Sequence, residues 1–300
     1  MSRPFADLRA RAAAAVLAAG ALVAACDSGA RPPDAQAAVS LTSAELSIRF
    51  DLADGKQPTV SVLGFRAAAA GPDATDVLGL VDPLSAAAPD QGCALRDVDE
   101  ATSALVARGS SIDLEELSGV GIGLGPGVPL LRLDPRVFPD VAGVVGGVVA
   151  EAAPQPLDLL PERLSIYGAE AELPVAELAV PSLPRLQTAN GAAPVAGMKI
   201  DASEGLSLSL SGAAGALVEL RPFGATVAVI CTVPTNASTE AVVNVPRALL
   251  VHLRRTRAGA WGVPVSIEVA RRVRAREPLA PSGARVSVET RSAVAAELRP

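Results

Sequence analysis

The chain has 300 residues, of which 50% are hydrophobic and only 2% aromatic, and its formal net charge at pH 7 is −6. This length exceeds one average domain and allows sizeable cores, which must be built from Val, Leu, Ile and Ala because there are only five Phe, one Tyr and one Trp. Aromatic platforms that stack on bases or sugar rings are scarce, which argues against nucleic-acid partners and against carbohydrate recognition.

The first 25 residues have the features of a secretory signal. Arg3, Arg9 and Arg11 precede an uninterrupted run of apolar residues and glycine at positions 12–25. A basic segment followed by a short apolar run is typical of a secretory signal peptide. The run is also shorter than the roughly 20 residues that a membrane-spanning helix needs. We therefore predict a signal peptide over residues 1–25.

The apolar run ends in Val23-Ala24-Ala25-Cys26, which resembles the lipobox of bacterial lipoproteins. The resemblance implies cleavage before Cys26, a thioether link from its sulfur to diacylglycerol, and palmitate-like acyl chains. Two or three such chains anchor a protein stably, at about 0.8 kcal/mol per buried methylene. The expected partner of Cys26 is therefore a bacterial membrane, inner or outer, which places the protein in the cell envelope, at the periplasm. An ordinary cleaved signal followed by a chance cysteine is the alternative.

Residues 26–39 are mostly small and polar, and we predict that they form a flexible tether. Folding is predicted to start near Leu41. Apolar and polar residues alternate with a period of two from Glu45 to Leu52, which is typical of a half-buried strand. Asp54-Gly55 is a hairpin signal, so Thr59–Phe65 is predicted to be the returning strand.

The stretch Gly119–Gly127 has glycine at every second position. It lacks both the Gly-x-Gly-x-x-Gly pattern and the Gly-Lys-Ser/Thr ending of phosphate-binding loops. Val120, Ile122 and Leu124 alternate with the glycines. We therefore predict a strand with one bare face, against which another backbone packs closely.

The predicted fold class is all-β, with two β-sandwich-like domains over residues 40–184 and 185–300. Prolines at positions 174, 181, 184 and 194 mark a stiff, turn-rich linker between the domains. The last hundred or so residues contain about seven short predicted strands, which makes the C-terminal domain immunoglobulin-like in size and strand spacing. The Cys-Trp-Cys spacing of antibody domains is absent, so the likeness concerns architecture only.

The three cysteines fit an oxidising compartment. With lipid on Cys26, Cys93 and Cys231 remain as a pair, and we predict a disulfide between them. Cys231 shares an apolar strand face with Val229 and Val233, whereas Cys93 is predicted to lie in a loop. Two buried free thiols are the alternative.

Residues suited to catalysis are few. The one histidine, His252, falls on a predicted strand over Leu249–Leu253, where it would face solvent. No Gly-x-Ser-x-Gly elbow accompanies it. Acidic clusters around Asp97, Asp113 and Asp201 lack the EF-hand pattern. We therefore predict no catalytic residues, no cofactor and no metal site, and hence a protein that is not an enzyme.

Charge is distributed unevenly along the chain. Residues 40–184 carry 21 acidic and 8 basic residues, whereas residues 185–300 carry 8 acidic and 14 basic ones. A basic patch in the second half is predicted to dock on the acidic first half or on anionic lipid. Its residues are Arg254, Arg255, Arg257, Arg271, Arg272, Arg274 and Arg276. Two simply solvated surfaces are the alternative.

These features together predict a membrane-anchored envelope lipoprotein with a non-enzymatic structural, adhesive or partner-binding role. Its partner would be an unknown envelope protein or polymer, bound through surfaces and edge strands. An envelope hydrolase that uses carboxylates and a carrier of an apolar ligand are the alternatives. A filled core would favour the binding module. A cleft with two facing carboxylates would favour the hydrolase, and a large enclosed cavity would favour the carrier.

Overall fold

The computed structural model describes residues 41–53, 56–70, 89, 92–97, 111–141, 145–168, 173–236, 240–256, 261–280 and 282–300. The predicted signal peptide, Cys26, the predicted tether, Asp54-Gly55 and Arg257 lie outside these ranges. The elements in chain order are β1 (Leu41–Ala53), β2 (Thr59–Ala70), β3 (Gly92–Asp97), β4 (Ser111–Glu116), β5 (Gly121–Gly123), β6 (Leu131–Arg132), β7 (Asp134–Val141), β8 (Val145–Pro156), β9 (Arg163–Tyr167), β10 (Ala176–Ala179), β11 (Arg185–Ala189), β12 (Met198–Asp201), β13 (Leu206–Ser211), β14 (Leu217–Pro222), β15 (Val227–Thr232), β16 (Glu240–Val245), α1 (Arg247–Arg255), β17 (Val263–Arg274) and β18 (Arg285–Arg299).

The period of two in the first segment is confirmed. β1 and β2 pair antiparallel, as the predicted hairpin requires. Leu46, Ile48 and Phe50 are fully buried, while Arg49 and Asp51, which alternate with them, belong to the opposite face. The register is fixed by this alternation, because a slip of one residue would turn every apolar side chain to the other face.

The strands form one large sheet and two small ones. The large sheet has the order β3-β15-β14-β17-β18-β1-β2-β4-β8-β7, and β12 pairs with β18 beyond the point where β1 ends. β10-β9-β5-β6 form a four-stranded sheet, and β11-β13-β16 form a three-stranded sheet. The fold is all-β and sandwich-like, as predicted.

Each small sheet covers a core of its own. The four-stranded sheet contributes Ile122 and Ile166 to one core. The three-stranded sheet contributes Leu208 and Leu210 to the other, to which α1 adds Leu250. Both cores are dense with buried aliphatic side chains, as the scarcity of aromatic residues predicted.

One strand, β18, serves both cores from the same face. Val286 and Val288 lie in the core of the four-stranded sheet, whereas Ala296 and Leu298 lie in the core of the three-stranded sheet. These four residues have the same parity, so they point to one face of the strand. Both small sheets therefore pack on the same face of the large sheet, and the opposite face is left for other residues.

The large sheet crosses the predicted boundary between residues 184 and 185. β1 pairs in parallel with β18, and β3 pairs with β15. Arg271 Nη1 donates to Ser182 Oγ at 2.6 Å, and the Thr290 hydroxyl donates to the Ser182 carbonyl at 3.3 Å. The described residues from Leu41 onward form one compact unit. Backbone pairing thus joins the two halves, and independent folding of residues 185–300 stays a prediction.

The segment Leu249–Leu253 is helical, so the predicted strand is wrong. α1 begins after Pro246, whose φ of −61° suits the residue that precedes a first helical turn. Leu250 and Leu253 are buried, and their spacing of three residues places both on one face of a helix. Consecutive apolar residues from 249 to 251 hid this period. His252 is exposed, as predicted, but on a helix.

The glycine-rich stretch forms a shorter strand than predicted, since β5 has only three residues. A Cβ built on Gly123 would come within 3.0 Å of the Tyr167 ring and 3.5 Å of Leu130 Cδ2. The bare face of Gly123 therefore meets side chains. At Gly121, the Leu131 carbonyl oxygen would lie 3.9 Å from a Cβ, which is an ordinary contact, so the close approach of a backbone predicted for this strand is wrong.

A close backbone approach occurs at Gly147 instead, where a Cβ would overlap the carbonyl oxygen of Leu114 on β4. Gly147 also has a φ of 130°. We expect Gly147→Ala to lower the free energy of unfolding by more than about 1 kcal/mol. Gly146→Ala is the matched control, because nothing lies within 4 Å of a Cβ there; its effect should stay within about 0.5 kcal/mol. Denaturant unfolding measures both, and equal effects would contradict this contact.

Candidate functional site

The face of the large sheet opposite the two cores carries a set of charged side chains, here called the ionic ladder. Its residues are Arg49, Asp51, Glu219, Arg221, Glu268, Arg272, Glu289 and Arg291. They gather because polar residues alternate with core residues along β1, β14, β17 and β18. Strand register then places Arg272 and Arg49 on either side of Glu289, and Asp51 beside Arg291.

Glu289 is the centre of the ionic ladder and is only 1% exposed. Arg272 Nε donates to its Oε2 at 2.9 Å, and Arg272 Nη2 contacts the same oxygen. Arg291 donates to Oε1 from Nη2 at 2.7 Å and from Nε at 3.1 Å. Arg49 Nε lies 3.6 Å from Oε1. Burial alone would raise the pKa of Glu289, but the three guanidinium groups together hold it below its usual value.

Arg291 links the centre of the ladder to the strands beside it. Its Nη1 donates to Glu268 Oε2 at 2.5 Å, and its Nε lies 3.8 Å from Asp51 Oδ1. Burial would lower the pKa of Arg291, yet the carboxylates of Glu289 and Glu268 raise it above its ordinary value. This guanidinium is therefore a permanent charge, and it holds three strands of the sheet together.

Glu219 and Glu268 stand directly opposite each other on β14 and β17. Glu219 is 3% exposed. Burial raises its pKa, Arg221 lowers it, and the charge of Glu268 raises it further. Two facing carboxylates are what a hydrolase would require. Here Arg221 pairs with Glu219 and Arg291 pairs with Glu268, and Glu219 offers almost no surface to a substrate. The arrangement suits a structural ion network better than general acid catalysis.

The predicted disulfide between Cys93 and Cys231 is confirmed, with the two Cα atoms 4.0 Å apart. The cysteines face each other across the antiparallel pair β3–β15. Cys231 is 1% exposed and packs in the same core as Val229 and Val233, as its apolar face predicted. Cys93 lies in an edge strand, so its placement in a loop is wrong. The bridge fastens this edge strand to the rest of the sheet.

The arginines predicted to form one docking patch occupy different places. Arg254 and Arg255 end α1, where they face the negative end of the helix dipole. Arg272 belongs to the ionic ladder, and Arg271 bonds to Ser182. Arg274 and Arg276 are exposed at the far end of β17. The structure therefore does not bring the six described arginines onto one surface. The two halves are joined by backbone pairing, by a shared hydrophobic core and by ion pairs of the ionic ladder.

A groove of about 430 Å³ lies where β12 and β18 end. We call it the Trp261 groove, and its lining residues are Lys199, Asp201, Trp261, Glu297, Arg299 and Pro300. Trp261 is the only tryptophan of the chain and is 89% exposed. Sequence reasoning missed this groove, because its residues come from three separate segments and the tryptophan belongs to no periodic pattern.

Within the described ranges, no group of three or more His, Cys, Asp or Glu side chains could hold a metal ion. No helix in this part of the chain is long and apolar enough to cross a membrane.

No protein-family model matches the chain, and no curated protein matches it. Among solved structures, the chain is similar to the Fcho1 Mu homology domain of Danio rerio with bound Eps15 peptide. The identity is 9%, the alignment covers 86% of this chain and 97% of that chain, and the TM-score is 0.21. A score this low does not establish a shared fold, so the chemistry of this chain's own residues must identify its site.

Proposed function

We propose that this protein is a lipid-anchored lipoprotein of the bacterial cell envelope with a non-enzymatic, structural or partner-binding role. The single observation that carries the proposal is the lipobox-like Val23-Ala24-Ala25-Cys26 at the end of a signal-like apolar run. Acyl chains on Cys26 would hold the folded body at a membrane surface.

A binding role is supported over catalysis by how the acidic residues are used. Among the described residues, Glu289 has the most deeply buried carboxylate, and arginines bind both of its oxygens. Glu219 is paired with Arg221 and closed to substrate. A residue that acts as general acid or base must reach the substrate within hydrogen-bonding distance. These two carboxylates have partners within the sheet instead.

A carrier function has less support. An apolar groove lined by Leu52, Leu183, Leu186, Pro194 and Val294 has a volume of about 280 Å³. Pockets that enclose small ligands usually measure about 300–1,000 Å³. Within each of the two cores, the aliphatic side chains pack against one another. Their packing stabilises the fold and favours a filled interior over a ligand cavity.

Cys26→Ala tests the anchor. We expect the protein to move from the detergent phase to the aqueous phase, or to accumulate as an uncleaved precursor, because the thiol that accepts diacylglycerol is gone. Detergent phase partition, together with the mass of the N-terminal peptide, measures both outcomes. Ser28→Ala is the matched control, since it changes a small residue just after the lipobox and should leave lipidation intact. A Cys26→Ala protein that remains correctly cleaved in the membrane fraction would overturn the proposal.

A further inference from the structure

The side chain of Trp261 stands almost free in solvent, although tryptophan is usually well buried. Its ring is a large, rigid and partly apolar surface, and such surfaces dominate binding energetics when a ligand covers them. Charged side chains that can form hydrogen bonds lie around it in the Trp261 groove. An exposed indole beside convergent polar groups is the anatomy of a binding site.

The four side-chain charges of the Trp261 groove alternate in sign and cancel. Lys199 stands opposite Glu297, and Asp201 stands opposite Arg299, on the parallel pair β12–β18. Ile200 and Leu298, which lie between them in sequence, point to the core, so all four charged side chains share the outer face. An anionic or cationic ligand would be attracted by two of these groups and repelled by the other two. A neutral ligand is therefore favoured.

The groove presents donors and acceptors side by side. Lysine and arginine only donate hydrogen bonds, and ionised carboxylates only accept them. A hydroxyl group does both, so a ring with several hydroxyls can satisfy all four side chains. The hydrogen bonds of Ser203 lower the pKa of Asp201. Its carboxylate is ionised at neutral pH with or without this shift, and so it accepts hydrogen bonds.

Two of the polar groups can turn towards a ligand. Arg299 Nε lies 3.4 Å from Glu297 Oε1, and these side chains are 44% and 35% exposed. Exposed pairs of this kind contribute only about 0–1 kcal/mol, so exchanging them for ligand hydroxyls costs little. Asp201 is held more firmly, because its Oδ1 accepts the Ser203 amide at 2.7 Å.

We propose that the Trp261 groove binds a sugar ring of a neutral glycan, with the indole against the C–H face of the ring and the four charged side chains bonded to its hydroxyls. The negative π-face of an indole attracts the weakly positive C–H groups of such a ring. A nucleic-acid strand is disfavoured, because its phosphates need a net positive surface. This inference rests on the proposed partner-binding role and names the partner as a glycan polymer. The overall scarcity of aromatic residues predicts weak, single-ring binding and does not exclude it.

The chain's single tryptophan makes the test direct, because the tryptophan fluorescence of the whole protein reports on this groove alone. Chitotetraose is added to the purified full chain in a detergent without sugar head groups. We expect a blue shift of the emission and about a twofold loss of acrylamide quenching, with a dissociation constant of about 1 mM for a one-ring contact. Choline and a short oligonucleotide serve as cationic and anionic probes, and neither should have this effect.

Matched variants separate the groove from the rest of the body. Arg299→Met should weaken chitotetraose binding about tenfold, through lost charged hydrogen bonds. Arg285→Met, an exposed arginine at the other end of β18, should leave it unchanged. Trp261→Ala should abolish co-sedimentation with insoluble chitin, while Phe223→Ala, which removes another exposed aromatic, should preserve it.

The outcomes also distinguish this inference from the proposed function. If choline or the oligonucleotide protected Trp261 from acrylamide quenching and chitotetraose did not, the glycan assignment would be overturned. The absence of protection by all three probes would also overturn it. If Cys26 is lipidated in the same protein, neither result contradicts the proposed envelope anchor. Conversely, if the unchanged protein purified from its cells had no lipid on Cys26 and still bound chitotetraose, the result would support the groove and refute the anchor.

Discussion

Removal of the Cys93–Cys231 disulfide is expected to lower the free energy of unfolding by about 5 kcal/mol, because the bridge closes a loop of 138 positions. In the chain-entropy model, cross-linking residues so far apart removes many conformations from the unfolded chain. The folded state also loses the covalent tie between edge strand β3 and β15. The measurement is denaturant unfolding of the Cys93→Ala, Cys231→Ala double variant beside the unchanged protein.

A reductant provides the control for this prediction. Dithiothreitol should lower the free energy of unfolding of the unchanged protein by nearly as much as the double substitution does. It should not change the free energy of unfolding of the double variant, because that variant has no disulfide to reduce. A shift of less than about 1 kcal/mol in the unchanged protein would be far below the entropic expectation and would contradict it.

Glu289→Gln is expected to lower the free energy of unfolding by about 3–5 kcal/mol, because it leaves buried arginines without their shared negative partner. Arg272 and Arg291 are only 13% and 15% exposed at the side chain, so water cannot replace the carboxylate. Glu177→Gln is the matched control. Glu177 also pairs with an arginine, Arg163, at 2.8 Å, but the two side chains are 52% and 69% exposed, and the cost should be about 0–1 kcal/mol.

The effect of Glu289→Gln should also depend on pH. The folded-state pKa of Glu289 is lowered, so its contribution is fully present above the unfolded pKa of about 4.3. That contribution is lost as the pH falls through the lower, folded pKa. The difference between the two proteins should therefore shrink in acid. Burial raises the pKa of Glu45, Asp51 and Glu219, and their contributions run the opposite way. The comparison with the variant cancels the contributions of Glu45 and Glu219. The contribution of Asp51 changes along with that of Glu289, because the charge of Glu289 raises the pKa of Asp51. An equal cost for Glu289→Gln and Glu177→Gln at neutral pH would refute the buried network.

The sequence predicted local strands well because alternation is a local signal. The faces of β1 follow directly from the spacing of Leu46, Ile48 and Phe50. α1 escaped because it is nine residues long and its apolar residues are consecutive in part. Short helices carry too few turns for their period to stand out.

The assembly of the sheet could not be predicted from these local signals. The pairing of β1 with β18 joins residues about 240 positions apart, and no turn between them specifies it. Within β17, the spacing of Glu268 and Arg272 places both side chains of the ionic ladder on one face of the strand. Glu268 pairs with Arg291 and Arg272 pairs with Glu289. Both partners are on β18, so neither pair can be recognised until β18 is known to lie beside β17. The Trp261 groove was missed because it, too, depends on strand pairing. Composition gives the number of aromatic residues but not the position of any one of them in the fold.

The parallel pairing of β1 with β18 has a mechanical consequence. β1 begins at Leu41, and nine consecutive residue pairs join it to β18, from Glu45–Arg285 to Ala53–Ala293. The Trp261 groove lies at the opposite end of the sheet, beside Arg299. A load applied between Leu41 and Arg299 would pull the two strands past each other, along their length. The hydrogen bonds between the nine residue pairs would then be loaded in shear and would have to break together, not one after another. The rate at which this paired segment separates under load would set the resistance of the protein to forced unfolding.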